Sequence, residues 1–402
     1  MILTINCGSS SLKYKLYPSD LSDVLAQGLI ERISAANASC SHEARGQKVR
    51  LTPNLLDQLS AFELMVSNRT DPEIGVIASL EAVTGIGHRL VHGGTEFTGS
   101  IVVGNDAMER LRKCAWLAPL HNPACIAGID LARDLIPNAP NVAVFDTAFH
   151  QTLPAKAHTY ALPYELCTDH GIRRFGFHGI SCQFVSRVAA QVLSRPIEDL
   201  SMVVCHLGNG VTIDAVQGGR SVDTSLGFGT FSGIPMGTRS GDFDPAIVFH
   251  LVKTLGMSIE DVEKMCYTQS GLLGLSGLSN DMREILAAAS NGDTRCSLAL
   301  DSFVYSIRKT IGAYAAAMNG LDVLVFTAGI GENSATIRSR ICSRLGVLGI
   351  AIDERTNEIA GPELPNITAA DASVTTLVIP TDEERMIATE VRTLMSRHQS
   401  AA

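Results

Sequence analysis

The chain has 402 residues, 46% of them hydrophobic and 18% charged, and a formal net charge of −9. That length exceeds one ordinary core and predicts two domains, while the composition is that of a turn-rich globular protein rather than a disordered one. The acidic balance removes the electrostatic basis for general nucleic-acid or anionic-membrane binding, so neither is expected as a partner; only a local basic cleft for a phosphorylated ligand remains compatible with it.

The chain opens on the strand-like Met1-Ile2-Leu3-Thr4-Ile5, without a basic region followed by a long apolar run, and no stretch reaches about 18 uninterrupted apolar residues. A soluble, unsecreted, cytoplasmic protein is expected. Next comes the polar turn Asn6-Cys7-Gly8-Ser9-Ser10-Ser11, after which residues 12–17 alternate with period two, so a β-hairpin is predicted. The device recurs about 200 residues later: Met202-Val203-Val204-Cys205 leads into His206-Leu207-Gly208-Asn209-Gly210 and then into residues 211–216. The recurrence points to two related α/β halves. Asp244-Pro245 opens a helix over 246–255 closed by Gly256, and Ser258 with Asp261 forms a capping-box signature. A longer helix is predicted over 297–318, terminated by Asn319-Gly320. The apolar strand 323–326 then feeds the glycine-rich residues 329–333, and Ile337, Ile341 and Leu345 mark a further helix.

Strands alternating with helices give an α/β class. The boundary is placed near residue 150, giving domains over 1–150, joined by the C-terminal helix of about 384–402, and over 151–383. Residues 34–60 and 355–375 read as surface loops. Ten cysteines are scattered without a C-x-x-C pair, which predicts reduced, mostly buried thiols of the kind a reducing cytosol allows. His42, His170 and His398 read as surface histidines.

Four glycine-rich turns each follow an apolar strand, and only glycine and small hydroxyl residues let a phosphate approach backbone N–H groups closely. Taken singly, each reads equally well as a hairpin turn. Neither a G-x-x-x-x-G-K-[ST] string nor a G-x-G-x-x-G string opening a βαβ unit occurs, which excludes the P-loop and Rossmann readings.

Residues 6–13 (NCGSSSLK), 87–94 (GHRLVHGG), 117–123 (LAPLHNP), 145–154 (FDTAFHQTLP), 173–179 (RRFGFHG), 205–210 (CHLGNG), 236–245 (MGTRSGDFDP), 270–277 (SGLLGLSG), 281–283 (DMR), 326–333 (FTAGIGEN) and 381–384 (TDEE) together resemble the acetate kinase family, in its order and spacing. The resemblance implies two domains of actin-like, ribonuclease H-like ATPase fold with ATP and a short carboxylic acid in the cleft between them. It also implies a homodimer and reversible in-line transfer of the ATP γ-phosphate to acetate, giving ADP and an acyl phosphate; because the motifs lie on both sides of residue 150, closure of the two halves on ATP is expected.

Acid and γ-phosphate are both anions, so their approach needs cationic help, and Arg89 and Arg239 are the guanidinium forks suited to it. By resemblance Arg89 binds the substrate carboxylate, with Val91, Leu120, Phe177 and Thr230 beside the acid and His121 as a further phosphate-facing donor. Arg239 and His178 stabilise the equatorial oxygens of the transferring group. Asp146 matches a family residue given an acid/base role, yet a carboxylic acid is already ionised at pH 7, so Asp146 reads better as an orienter of Arg239 or of a metal hydration shell. The resemblance places Asn6 and Glu383 on Mg²⁺, for which Mn²⁺ can substitute. It places Lys13, His206, Leu207, Gly208, Asn209 and Gly210 on the ATP phosphates, Asp281, Met282 and Arg283 near ribose and base, and Gly329, Ile330, Gly331, Glu332 and Asn333 around the adenosine.

Without the resemblance, buried salt bridges for the arginines, core positions for the histidines and a helix-start carboxylate for Glu383 would be the better readings. The chain departs from the family pattern at Gly229, Thr230, Phe231 and Ser232, where Thr230 replaces a proline expected beside the alkyl group of the acid, and at Ile180, Cys182, Val211, Thr212 and Asp382. Propionate is the nearest alternative acid. Two rival readings share the fold: an actin-like ATPase serving as a binding or assembly module, and a sugar or polyol kinase with an aspartate base.

Overall fold

The computed structural model describes residues 1–401 other than Ala36 and Leu120, with side chains described through Arg397. Two compact units result: unit 1 comprises Met1–Phe149 and Asp382–Ala402, and unit 2 comprises His150–Thr381.

Unit 1 is built on β1 (Ile2–Cys7), β2 (Ser11–Tyr17), β3 (Ala26–Glu31), β4 (Ser39–Ala44), β5 (Gln47–Leu51), β6 (Gly85–Leu90), β7 (Ile101–Val102) and β8 (Asn141–Phe145). Among the described residues these form one sheet in the order β5-β4-β3-β2-β1-β6-β8-β7. β1 to β5 run as an antiparallel meander, whereas β1, β6 and β8 are mutually parallel neighbours. The opening hairpin is present as predicted, its turn closed by the Gly8 N–H donating to the Ser11 carbonyl at 2.8 Å.

Unit 2 is built on β9 (Ser201–Leu207), β10 (Val211–Gln217), β11 (Arg220–Thr224), β12 (Val323–Thr327) and β13 (Thr375–Val378), in the order β11-β10-β9-β12-β13. β9 is antiparallel to β10 and parallel to β12, which is parallel to β13. Strand for strand this repeats β3-β2-β1-β6-β8 of unit 1. The recurring strand-turn-strand device of the sequence is therefore the first hairpin of one five-strand plan used twice, the plan of the actin-like ATPases. Every residue of β12 is buried, as expected of a parallel strand covered on both faces.

Several helices start where their caps dictate. The Asp244 carboxylate accepts from the Ala246 N–H at 2.8 Å and opens Ala246–Lys253, and the Ser258 hydroxyl accepts from the Asp261 N–H at 3.0 Å. The long helix is Thr294–Ala317, beginning earlier than position 297 because Asp293 caps it through the Cys296 N–H.

Three expectations are corrected. Residues 34–60 are no plain loop: β4 and β5 extend the sheet, with Cys40, His42 and Ala44 as the inward residues of β4, an alternation that hydropathy misses because small and polar side chains carry it. Residues 329–333 are no turn: Ala328–Asn333 is a short helix, which Glu332 steadies by accepting the Ala328 N–H at 2.8 Å. His42 is buried, with Nδ1 2.7 Å from the Tyr14 hydroxyl and Nε2 3.0 Å from the Ile74 carbonyl, whereas His170 is exposed and the side chain of His398 lies outside the described residues. Nine of the ten cysteines are buried and Cys167 is half-buried. No helix among the described residues is long and apolar enough to cross a membrane.

Candidate functional site

In unit 1 the chemistry gathers at the carboxyl ends of parallel strands, where backbone direction changes and side chains are freed from sheet packing. Arg89 lies near the end of β6 and Asp146 directly after β8, held by its N–H to the Leu90 carbonyl at 2.9 Å. The guanidinium meets the buried carboxylate at two points, Nε to Oδ1 at 3.2 Å and Nη2 to Oδ2 at 2.8 Å. Its third nitrogen, Nη1, is 3.5 Å from Oε2 of Glu383, outside good hydrogen-bond range. Burial works against the charge of Arg89, but Asp146 and Glu383 outweigh it and hold the guanidinium above its ordinary value.

Glu383 reaches this point because the helix Glu383–Ala401 lies directly on β6. Gly87 makes that possible: a Cβ there would come within 2.4 Å of Ile387 Cγ2 and 2.8 Å of Val391 Cγ2. The acidic first turn of the same helix is met by lysines of β2, with Lys13 Nζ 2.6 Å from Glu384 Oε1 and Lys15 Nζ 2.9 Å from Asp382 Oδ1. Lys13 is thus placed on a carboxylate. Asn6 is half-buried on β1, opposite Lys13 in the register. Val91 follows β6 and is half-buried, and His121 is an exposed residue at the start of the helix Asn122–Leu135. Leu120 lies outside the described residues.

Unit 2 holds the second group. His178 takes a left-handed backbone conformation, φ +56°, at the head of the helix Gly179–Leu193, which is uncommon for a residue with a side chain and marks an over-determined position. Its ring stacks on that of His206 with centroids 4.3 Å apart and planes 12° from parallel. His206 and Leu207 end β9, and the turn to β10 is closed by the Gly208 N–H donating to the Gly210 carbonyl at 3.0 Å. Arg239 donates from Nη1 to the Thr230 carbonyl at 3.0 Å, so the departing loop is what anchors it; burial pulls its guanidinium below the ordinary value. Phe231 of that loop packs edge-on against Tyr267 at 5.0 Å. Phe177 is buried, with its carbonyl accepting from Thr212 and facing His150 Nε2.

The loop of Arg239 is tied to the Gly-Asn-Gly turn. The Gly237 N–H donates to the Asn209 carbonyl at 3.0 Å, and a Cβ at Gly237 would sit 1.9 Å from Asn209 Oδ1. That amide oxygen also accepts from Asn280 at 3.1 Å.

Beside this turn lies a cavity of about 800 Å³, within the usual range for small-ligand sites. Gly208, Asn209, Asp281, Met282, Arg283, Gly329, Ile330 and Asn333 line it, all of them expected at the nucleotide. Asn280, Leu286, Ser334, Ala335 and Thr336 line it as well and were not foreseen, since each looks like an ordinary helix or cap residue in the sequence. Gly331 and Glu332 are not among the lining residues: Glu332 turns inward, accepting from the Ala328 and Thr381 N–H groups. Arg283 pairs with Asp281, which caps Met282–Ser290. The hydroxyls of Thr212 and Ser181, each on the Nδ1 of one stacked histidine, also escaped the sequence reading because pairing across a fold leaves no local pattern.

The family model described as the Acetokinase family matches residues 1–389. The chain is 48% identical over 397 residues to the acetate kinase of Clostridium novyi (strain NT), covering 99% of each. Its fold matches the crystal structure of Porphyromonas gingivalis acetate kinase with a TM-score of 0.93 and 41% identity, over 98% of this chain and 99% of that one. It matches a propionate kinase from Francisella tularensis subsp. tularensis SCHU S4 with a TM-score of 0.90 and 41% identity, over the same shares.

Proposed function

The chain belongs to the acetokinase family, and from that premise we propose that it transfers the γ-phosphate of ATP to acetate, reversibly, giving ADP and acetyl phosphate. The observation that carries the reading beyond family membership is the Arg89–Asp146 pair: both oxygens of Asp146 engage the guanidinium, which suits an acceptor that needs a fixed cation rather than a base. A hydroxyl acceptor would need its proton removed, whereas acetate is already ionised at neutral pH.

In the proposed reaction a carboxylate oxygen of acetate forms a bond to the γ-phosphorus as the bond to the bridging oxygen of ADP breaks, and no proton moves. Arg89 receives the acid. Arg239 and His178 stabilise charge on the equatorial oxygens, where positioning and electrostatics supply most of the catalysis. The nucleotide occupies the cavity beside Asn209, Asp281 and Gly329. Mg²⁺, with Mn²⁺ as a substitute, fits the donors available: Glu383 and Asn6 offer oxygen ligands, and the 3.5 Å separation from Arg89 leaves the Glu383 carboxylate acceptor capacity. Bound there, the ion would offset charge on the β- and γ-phosphate oxygens.

Propionate is the alternative acid. The loop at Thr230 holds Arg239 by a carbonyl, and one methylene is worth only about 1–3 kcal/mol of discrimination in an apolar pocket. A homodimer working in the cytoplasm completes the proposal. Supporting the dimer, the helix Ala246–Lys253 buries none of its residues, while Ile247, Phe249, Val252, Leu255 and Ile259 stand exposed; supporting the compartment, the ten cysteines are scattered without a C-x-x-C pair and nine of them are buried.

Transfer of a stereochemically labelled γ-phosphoryl group from ATP to acetate tests the direct step. Inversion at phosphorus is expected, and retention would mean a phosphoryl-enzyme intermediate.

A further inference from the structure

Arg239 belongs to a short segment that is gripped from two sides. One grip comes from the end of the helix Ile259–Thr268. The Thr238 hydroxyl donates to the Tyr267 carbonyl at 3.0 Å and the Ser240 N–H to the Cys266 carbonyl at 3.0 Å, so the residues before and after Arg239 are both fixed to that helix. The other grip comes from the loop at which the sequence leaves the family pattern, residues 229–232. Its base is tied down, the Gly227 N–H donating to Ser232 Oγ at 2.8 Å and the Phe228 N–H to the Tyr160 hydroxyl at 2.9 Å. Its tip offers two carbonyls to the arginine segment: that of Thr230 accepts from Arg239 Nη1 at 3.0 Å, and that of Phe231 from the Gly241 N–H at 2.9 Å.

The side chain that joins helix and loop is Tyr267, half-buried in the last turn of the helix. Its ring meets that of Phe231 edge-on, with centroids 5.0 Å apart and planes 79° from parallel, a favoured aromatic geometry. A Cβ at Gly229 would lie 3.1 Å from its hydroxyl, so the glycine lets the phenol come up against the loop. Burial pushes the phenol above its ordinary pKa, against hydrogen bonding with Thr230 and the charge of Arg239, both of which pull it down. A carbonyl can aim a guanidinium only if something other than that guanidinium holds the carbonyl in place. Tyr267 supplies such a contact, because it braces the loop tip from a helix outside the segment that carries Arg239.

We propose that Tyr267 is a positioning residue for Arg239: by bracing the loop tip at Phe231 it holds the Thr230 carbonyl where that carbonyl aims the guanidinium for transfer. The proposal rests on the reading that Arg239 meets the phosphoryl group. It gives the divergent loop a task apart from any contact with the acid, since Phe231 supplies the surface on which Tyr267 acts.

The test is made on the full-length protein. In Tyr267→Ala, kcat should fall by roughly tenfold or more while KM for ATP stays within about twofold, and Tyr267→Phe, which keeps the ring, should stay within about threefold of wild-type kcat. Phe231→Ala removes the other half of the contact and should reproduce the loss; it also serves if Tyr267→Ala does not fold. Added to Arg239→Gln, Tyr267→Ala should lower the residual kcat by less than about twofold, because it acts through the guanidinium. Independently of turnover, the rate at which phenylglyoxal modifies Arg239, read by mass spectrometry of its peptide, should rise several-fold in Tyr267→Ala and in Phe231→Ala but not in Tyr267→Phe. Wild-type kcat in both alanine variants overturns the proposal, as does a full loss from Tyr267→Ala in the Arg239→Gln background or an unchanged modification rate. Should Arg239→Gln itself retain wild-type kcat, it is the reading of Arg239 in the reaction that fails, and the modification rates still decide whether Tyr267 holds it.

Discussion

Arg89 and Asp146 stand at the ends of adjacent parallel strands and meet at two points, 3.2 and 2.8 Å apart, with Asp146 almost completely buried. That contact supports the proposed reading of Asp146 as an orienter rather than a base, and it adds Arg89 to the Arg239 and metal shell to which the sequence had pointed. Asp146→Asn keeps the shape and loses the charge. Steady-state kinetics of this variant should show kcat/KM for acetate lower by about a hundredfold, with a pH–rate profile parallel to that of wild type between pH 6 and 9. Loss of a basic limb alone would assign proton transfer to Asp146.

Arg239 is held by a main-chain carbonyl, that of Thr230, rather than by a carboxylate. In the proposed reaction its charge is therefore available to the phosphoryl oxygens. Arg239→Lys retains charge but not the fork, and kcat should drop by about 10²–10³ while KM for ATP changes less than about threefold. A raised KM with intact kcat would instead make Arg239 a ground-state binding residue.

Gly237 touches the turn that carries Asn209 so closely that a methyl group cannot be placed without moving one of them. Gly237→Ala should displace both the turn and the Arg239 loop, raising KM for ATP by about tenfold or more and lowering kcat together. Fluorescent-nucleotide titration alongside turnover would check this, and unchanged values for both would show that the loop tolerates the shift.

Burial pushes His88, opposed by its bond to Asn141, and His92 each down to about 4, from an ordinary value of 6.5. Both therefore stay neutral in the folded protein between about pH 4 and 6.5, where the unfolded chain would be charged. Their contribution to stability is present above pH 6.5 and is lost as the pH falls through 4, up to about 3 kcal/mol for each. The urea midpoint should decline from pH 7 to pH 4.5, and less steeply in His88→Gln. Parallel pH dependences for the two proteins would remove His88 from the account.

Phe249 is 61% exposed on a helix that buries none of its residues. If that face closes the proposed dimer, Phe249→Asp should halve the mass measured by light scattering without altering the near-ultraviolet circular dichroism of the rest of the fold. A wild-type protein of monomer mass, or a dimeric Phe249→Asp, would contradict the assignment.

Much of the repeated plan could be read in advance because its signals are local. The period-two run after Asn6, the buried run 323–326 and the caps at Asp244 and Ser258 all fall where hydrophobic periodicity and capping chemistry place them. β4 escaped notice because Cys40, His42 and Ala44 carry its inward face, and the short helix 328–333 because glycines masked a backbone fixed by Glu332. The residues of the glycine-rich strings that line the cavity were legible as a set. What the sequence could not show is which residue each one leans on: Asp146 on Arg89, Arg239 on a carbonyl, Lys13 on Glu384 and His178 on Thr212. Those pairings span up to 371 positions and are set by strand order rather than by neighbours in the chain.

In the proposed reaction a short carboxylate accepts the phosphoryl group. Its most direct test is acyl phosphate formation from ATP, trapped by hydroxylamine, over formate, acetate, propionate and butyrate, with wild type and Arg89→Ala side by side. Product is expected to require the acid, to be greatest with acetate or propionate, and to fall by about 10² or more in Arg89→Ala. ATP hydrolysis at one rate with every acid and with none, in both proteins, would contradict it.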